Sequence, residues 1–217
     1  MTVKLYDLCG KNDIRFSPFC WRIRMALLHK GIMFETVPVR FTEKHKLEFS
    51  GQYLMPVIDS DGTVVSDSWA IAEYLDDTFE PPTLFPTGRE QARAQQKWLN
   101  TLHPLIAKSI IMDIHNVLSV EDQTYFRAKR EAMFGVRLEE VQAGRETTRE
   151  QFRIGIEPLR KQIANQPFAS GNAPAYMDYI VFSALKWASQ VSDFQMLAEN
   201  DPVALWFDRV ATELGVN

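Results

Sequence analysis

Apolar and polar positions alternate over residues 2–8 (TVKLYDL), with Val3, Leu5 and, at the strand end, Leu8 as candidate inward positions, the pattern of a short strand. Residues 18–30 change period. Cys20, Ile23 and Leu27 form one set at helical spacing, Trp21, Met25 and Leu28 a second, and Gly31 stands where a helix would stop. Residues 33–40 (MFETVPVR) read as a second strand, and Pro38, which cannot donate to a ladder, puts that strand at an edge. Residues 41–53 are polar and irregular, a loop with a short helix. Residues 54–59, the Asp61-Gly62 turn signal and residues 63–66 make a hairpin. From Trp69 to Phe79 an apolar stripe of Ile71, Ala72, Leu75 and Phe79 returns to helical spacing. The order β-α-β, then β-β-α, predicts a mixed sheet: a crossover gives parallel strands and the hairpin antiparallel ones.

Pro81, Pro82 and Pro86 then break the pattern, and everything after them is helical in grammar. Expected domains are therefore residues 1–79 (α/β), a linker at 80–88, and an all-α domain at 89–217. A long amphipathic helix is predicted over 89–117, with Pro104 able to bend it. Further helices are predicted over 123–142 with Gly144 as a stop, 147–166, a strongly apolar and central 177–190, and 202–214.

Composition narrows the class. Hydrophobic residues make up 46% of 217 and aromatics 12%, enough for a packed core and against disorder. A formal net charge of -4 argues against nucleic acid or an anionic membrane as the main partner. No apolar run approaches membrane-spanning length, and the first residues lead into a strand without a signal-peptide pattern. Cys9 and Cys20 are the only cysteines, so no disulfide framework holds the fold, and a reducing, cytoplasmic setting is expected. The charged runs 127–137 and 145–153 mix both signs and read as solvated helix faces. His29, His45, His103 and His115 show no metal-ligand spacing, and no Gly-rich phosphate loop occurs.

Candidate chemistry gathers at two predicted helix starts. Ser17-Pro18 has the form of an N-cap and first helical residue. Ser17 either only caps the helix or also donates its hydroxyl to an anion such as a thiolate held at the helix start. Asp67-Ser68 opens the second helix; capping explains one of the two and leaves the other spare. Pro56 is either a simple strand-opening proline or part of a cis turn that leaves the backbone of Met55 free for a ligand.

Four motifs in order, Ser17-Pro18, Met55-Pro56-Val57, Asp67-Ser68 and Tyr176-Met177-Asp178, resemble the glutathione S-transferase family. That resemblance implies a thioredoxin-like α/β N-terminal domain, an all-α C-terminal domain, glutathione as co-substrate, and a homodimer. The Ser-Pro-x-x-Trp-Arg start, Asp67-Ser68-Trp69 and the segment 137–146 (RLEEVQAGRE) are similar to the bacterial and fungal β-etherase-like subgroup. By resemblance Ser17 is the catalytic donor to the glutathione thiolate. Met55 and Pro56 would hold the cysteinyl part, Asp67 the γ-glutamyl ammonium and Ser68 its carboxylate, with Lys44 and Gln52 for the glycyl carboxylate. A small hydrophobic aromatic electrophile is expected between the domains, against Trp98, Ile110, Ile111, Ile114 and His115. The subgroup implies displacement of an aryloxy group from an aromatic ether. The alternatives are a general conjugating or thiol-exchange enzyme using Cys20 or Cys9, and a non-catalytic glutathione-binding protein. Ala175 stands where the family has a capping Ser or Thr, so only the Asp178 half of that capping box is expected.

Overall fold

The structure is a computed structural model and describes residues 2–216, so Met1 and Asn217, the outer limits of the two expected domains, lie outside the described residues. The first half runs β1 (Val3–Leu8), α1 (Pro18–His29), β2 (Phe34–Val39), β3 (Val57–Ser60), β4 (Thr63–Ser66) and α2 (Ser68–Thr78). The strands form one sheet in the order β2-β1-β3-β4, with β2 parallel to β1 and the other neighbours antiparallel. β2 is an edge, as Pro38 requires. Asp61 (φ 48°) and Gly62 (φ 91°) both carry the positive φ that a tight hairpin turn needs.

Alternation along the strands sorts residues to two faces. Leu5 opposite Ile58 faces α1 and α2 in the main core, while Tyr6 and Val57 join Val39 and Leu47 beneath a 3-10 segment, Lys44–Ser50. The proline segment that follows is packed, not loose. Lys30 Nζ donates to the carbonyls of Phe79 (2.8 Å) and Pro82 (3.0 Å), Asp76 accepts from the Leu84 amide (2.6 Å), and Leu84 and Phe85 are buried.

The second half contains α3 (Arg89–Asn116), α4 (Val120–Phe134), α5 (Leu138–Ala143), α6 (Arg145–Gly155), α7 (Glu157–Ile163), α8 (Tyr176–Val191) and α9 (Pro202–Glu213). Two expected helices are each divided. Gly135 (φ 73°) ends α4, and Pro158 in the first turn of α7 separates it from α6. Pro104 does not break α3. Gly155 lets α6 lie against α3, since a Cβ there would sit 2.4 Å from Leu102 Cδ2.

α8 is the buried centre, packed against both α1 and α3. Its Asp178 accepts from the amides of Ala169 (2.7 Å), Ser170 (3.0 Å) and Ala175 (3.2 Å), and from Trp206 Nε1 (3.0 Å) on α9. Ala175 offers no side-chain oxygen in return, so the aspartate half of the box stands alone. Among the described residues no helix is long and apolar enough to cross a membrane, and no group of three or more His, Cys, Asp or Glu is placed to hold a metal.

Candidate functional site

Ser17 is the N-cap of α1, and its Oγ accepts from the Cys20 amide at 3.3 Å. An accepted bond leaves the hydroxyl proton free. Ser17 is 5% exposed, and it lines a cavity of ≈ 630 Å³ between the two halves of the chain. Capping and donation into that cavity are therefore compatible.

A smaller cleft of ≈ 250 Å³ adjoins this cavity; Phe19, Leu54 and Met55 line both. Gln52, Pro56, Ser66, Asp67 and Ser68 complete it, so five expected site residues, Gln52, Met55, Pro56, Asp67 and Ser68, are brought together there. The Met55–Pro56 bond is cis. Among the described residues the backbone of Met55 makes no hydrogen bond. Asp67 has φ 75° and ψ 130°, a conformation that L residues rarely adopt and that recurs where structure holds a ligand-facing group in place. Its Oδ1 accepts from the amides of Trp69 (2.9 Å) and Ala70 (3.1 Å), while Oδ2 has no partner among the described residues. The cleft thus presents an exposed carboxylate oxygen, the Ser68 hydroxyl and the start of α2 side by side.

Gln52 is on the wall but already engaged. Its amide bridges the N–H and C=O of Leu54, bracing the loop before Pro56. Lys44, expected beside it, does not line the cleft; its ammonium lies over the ring of Tyr125 on α4, 5.3 Å from the centroid.

The larger cavity is aromatic. Phe16 and Phe41 contribute rings from two loops, Phe126 and Phe134 from α4, and Trp187 from α8. Ile111 and Ile114 are on its wall as expected, whereas Trp98, Ile110 and His115 are not. Ile110 is fully buried in the core, Trp98 packs against that core, and His115 lines a shallow depression with Gln123 and Arg127. The cause is helical phase. The face of α3 turned to the cavity carries Gln96, Asn100, His103, Ala107, Ile111 and Ile114 in steps of three and four, with Pro104 beside His103, and each of the misplaced residues is one or two positions off that stripe. The same stripe, mixed polar and apolar, is the signal that could have located Gln96, Asn100 and His103. Phe126, Arg130 and Met133 on α4 were also missed, in a helix whose charge suggested only a solvated face.

Electrostatics under the wall are unusual. Arg22 on α1 is fully buried; Nε donates to Ser183 Oγ (3.3 Å), and Nη2 approaches His103 Nε2 at 3.4 Å. Its guanidinium carbon lies 4.8 Å from the centroid of Phe19, and Nη1 has no partner among the described residues. Arginine can only donate, so Nε2 of His103 is the acceptor and the imidazole is neutral. Burial, reinforced by the Arg22 charge, pushes the His103 pKa down to about 3. Burial has the opposite effect on the thiols: Cys20, fully enclosed, is held well above its ordinary pKa, and Cys9 is raised too. Neither thiol lines the cavity, which removes the structural basis for a thiol-exchange mechanism.

Comparison with known proteins finds two matching family descriptions: "Glutathione S-transferase, N-terminal domain" over residues 16–78 and "Glutathione S-transferase, C-terminal domain" over residues 91–209. Glutathione transferase omega-1 of Caenorhabditis elegans is 27% identical over 172 residues, covering 78% of this chain and 59% of that protein, so the match spans less than two thirds of the relative. The crystal structure of glutathione transferase GSTFuA2 from Phanerochaete chrysosporium superimposes with a TM-score of 0.88 and 26% identity over 100% of both chains. A glutathione S-transferase of Ceriporiopsis subvermispora, solved in complex with glutathione, has the same fold, with a TM-score of 0.76 and 23% identity over 98% of this chain and 96% of that one.

Proposed function

The chain belongs to the glutathione S-transferase family, and from that premise we propose that it transfers glutathione to an aromatic electrophile through a thiolate held by Ser17. The observation that carries the reading is the position of Ser17: its oxygen caps a helix start in the cavity that shares Phe19, Leu54 and Met55 with the polar cleft, and capping uses the oxygen rather than the hydroxyl proton. The cleft fits glutathione chemically. The unpartnered Asp67 Oδ2 suits the γ-glutamyl ammonium, Ser68 and the start of α2 suit its carboxylate, and the unbonded backbone of Met55 suits the cysteinyl amide. Gln52 acts here by fixing the loop rather than by binding the glycyl carboxylate.

A donor placed where negative charge must persist favours thiolate over thiol, at about 1.4 kcal/mol per unit of pKa. The aromatic cavity beside it suits an aryl electrophile. Within that class the reaction proposed is β-ether cleavage. The thiolate forms a C–S bond at the carbon bearing the aryloxy group, the C–O bond breaks, and the aryloxide leaves and takes up a proton as a phenol. Two buried free thiols suit a reducing, cytoplasmic setting. A homodimer is part of the same reading; a light-scattering mass near 25 kDa in dilute solution would refute it.

The test is chromatographic. The protein is incubated with glutathione and a racemic β-aryl ether ketone, and phenol release and the remaining enantiomer are followed. Release stalling near half conversion supports a stereoselective etherase. No release, with glutathione still bound, discards the ether substrate and keeps the glutathione site.

A further inference from the structure

The wall of the aromatic cavity holds a single charged side chain among the described residues, Arg130 of α4. It is half-buried, with its guanidinium carbon 5.4 Å from the centroid of Phe126 and Nη1 3.9 Å from Met133 Sδ. No carboxylate of the described residues pairs with it. The contrast with its neighbour is direct, since Arg127, one turn earlier and on the outer side of α4, is held by Glu131 (2.7 Å) and Glu139 (2.9 Å). Arg137 also reaches Glu139, at 3.6 Å. The acidic residues of this region are therefore spent on the outer arginines, and the inward one is left facing an apolar space.

A guanidinium drawn partly out of water without a counter-ion costs free energy, and a ligand that supplies the counter-ion recovers it. His103 cannot compete as a cation, being neutral against Arg22. We propose that Arg130 determines substrate specificity by pairing with a carboxylate on the aromatic electrophile, so that the preferred substrate is an aryl compound carrying one negative charge remote from the reacting carbon. The planar fork of arginine matches a carboxylate through two parallel hydrogen bonds, and the rings around it take the aryl body. This inference rests on the transferase reading, because it assigns the cavity to the electrophile.

The test measures binding, so it does not depend on turnover. Two product-like conjugates are compared, S-(4-carboxybenzyl)glutathione and S-(4-carbamoylbenzyl)glutathione, nearly equal in shape and differing in charge. Titration calorimetry should give at least tenfold tighter binding of the carboxylate, which corresponds to about 1.4 kcal/mol. Raising the salt concentration should shrink that preference. Arg130→Gln should abolish it, Arg130→Lys should restore part of it, and the affinity for glutathione alone should stay the same in both variants. Equal binding of the two conjugates by the unaltered protein, or a preference that survives Arg130→Gln, overturns the proposal while leaving the glutathione site standing. Failure of glutathione itself to bind sinks the transferase reading and this proposal with it.

Discussion

The pair Arg22–His103 makes a quantitative demand on stability. His103 Nε2 accepts from a guanidinium that is itself fully buried, so protonating the imidazole would set two cations face to face with no water between them. In the unfolded chain the same imidazole takes a proton near pH 6.5, and in the folded protein it does so only near pH 3. Between those values the unfolded state binds more protons, so stability rises with pH across the window and is lost as pH falls. The loss at pH 5.5 relative to pH 7.5 is close to RT ln 10, about 1.4 kcal/mol. That figure is insensitive to the folded value, because any folded pKa well below 5.5 gives the same result. Urea unfolding at pH 7.5 and 5.5, at one protein concentration, would measure it against His103→Gln, whose carbonyl oxygen can accept the Arg22 bond but does not titrate. The variant should lose about 1.4 kcal/mol less over that interval, whatever its stability at pH 7.5. Profiles that run parallel within about 0.5 kcal/mol would mean that His103 takes up its proton as readily in the folded state as in the unfolded one, and the buried-cation argument would fall.

Ser17→Ala should raise the pH at which bound glutathione shows thiolate absorbance, cut turnover by about 10²-fold, and cost ~1 kcal/mol of stability from the lost cap. Unchanged thiol titration in that variant would favour a binding role without catalysis. Asp178→Ala leaves three backbone amides and the Trp206 indole without their acceptor, and should lower unfolding stability by roughly 3–5 kcal/mol, seen as a depressed melting temperature or loss of soluble protein. Cys9 and Cys20 should react with a thiol reagent such as dithionitrobenzoate only on the timescale of unfolding, and Cys20→Ser should leave glutathione transfer in place; fast labelling of either would contradict their burial.

What the sequence disclosed follows the range of the forces involved. Strand alternation at Val3 and Leu5, the Asp61-Gly62 turn, the edge proline Pro38 and the two capped helix starts are local, so they are legible without the fold. The divided helices were legible in part. Gly135 and Pro158 were on view as breakers, but periodicity alone ran through them. The cavity walls needed tertiary information. The second half of α3 is apolar around much of its circumference, and nothing local says whether Ile110 or Ile111 meets the core. Arg22 and Arg130 were opaque for a related reason. An arginine in a helix reads as solvated until the distant partners are known, Ser183 and His103 for the first, and for the second the lack of any carboxylate partner among the described residues.

Every candidate glutathione contact comes from the first 68 residues, yet their positions are set from the other half of the chain. The agent is α8, through residues spaced at three and four along one face. Tyr176 donates its hydroxyl to the carbonyl of Ser68 at 2.9 Å, tying down the start of α2. Tyr179 meets His29 Nδ1 at 2.7 Å, holding the end of α1, and Ser183 receives Arg22 Nε at 3.3 Å near its middle. Asp178 faces the opposite way, where its four hydrogen bonds fix α8 to the loop before it and to α9. The helix is thereby anchored on one side and on the other holds the start of α2 together with the middle and end of α1. Arg22 carries the clamp onward, since its guanidinium lies against Phe19, the ring shared by the polar cleft and the aromatic cavity, and bonds His103 on the cavity wall. A buried cation short of one partner is a costly way to join two helices. Here that cation joins α1 to α8, packs on the Phe19 ring that lines the cleft, and bonds His103 on the wall of the cavity.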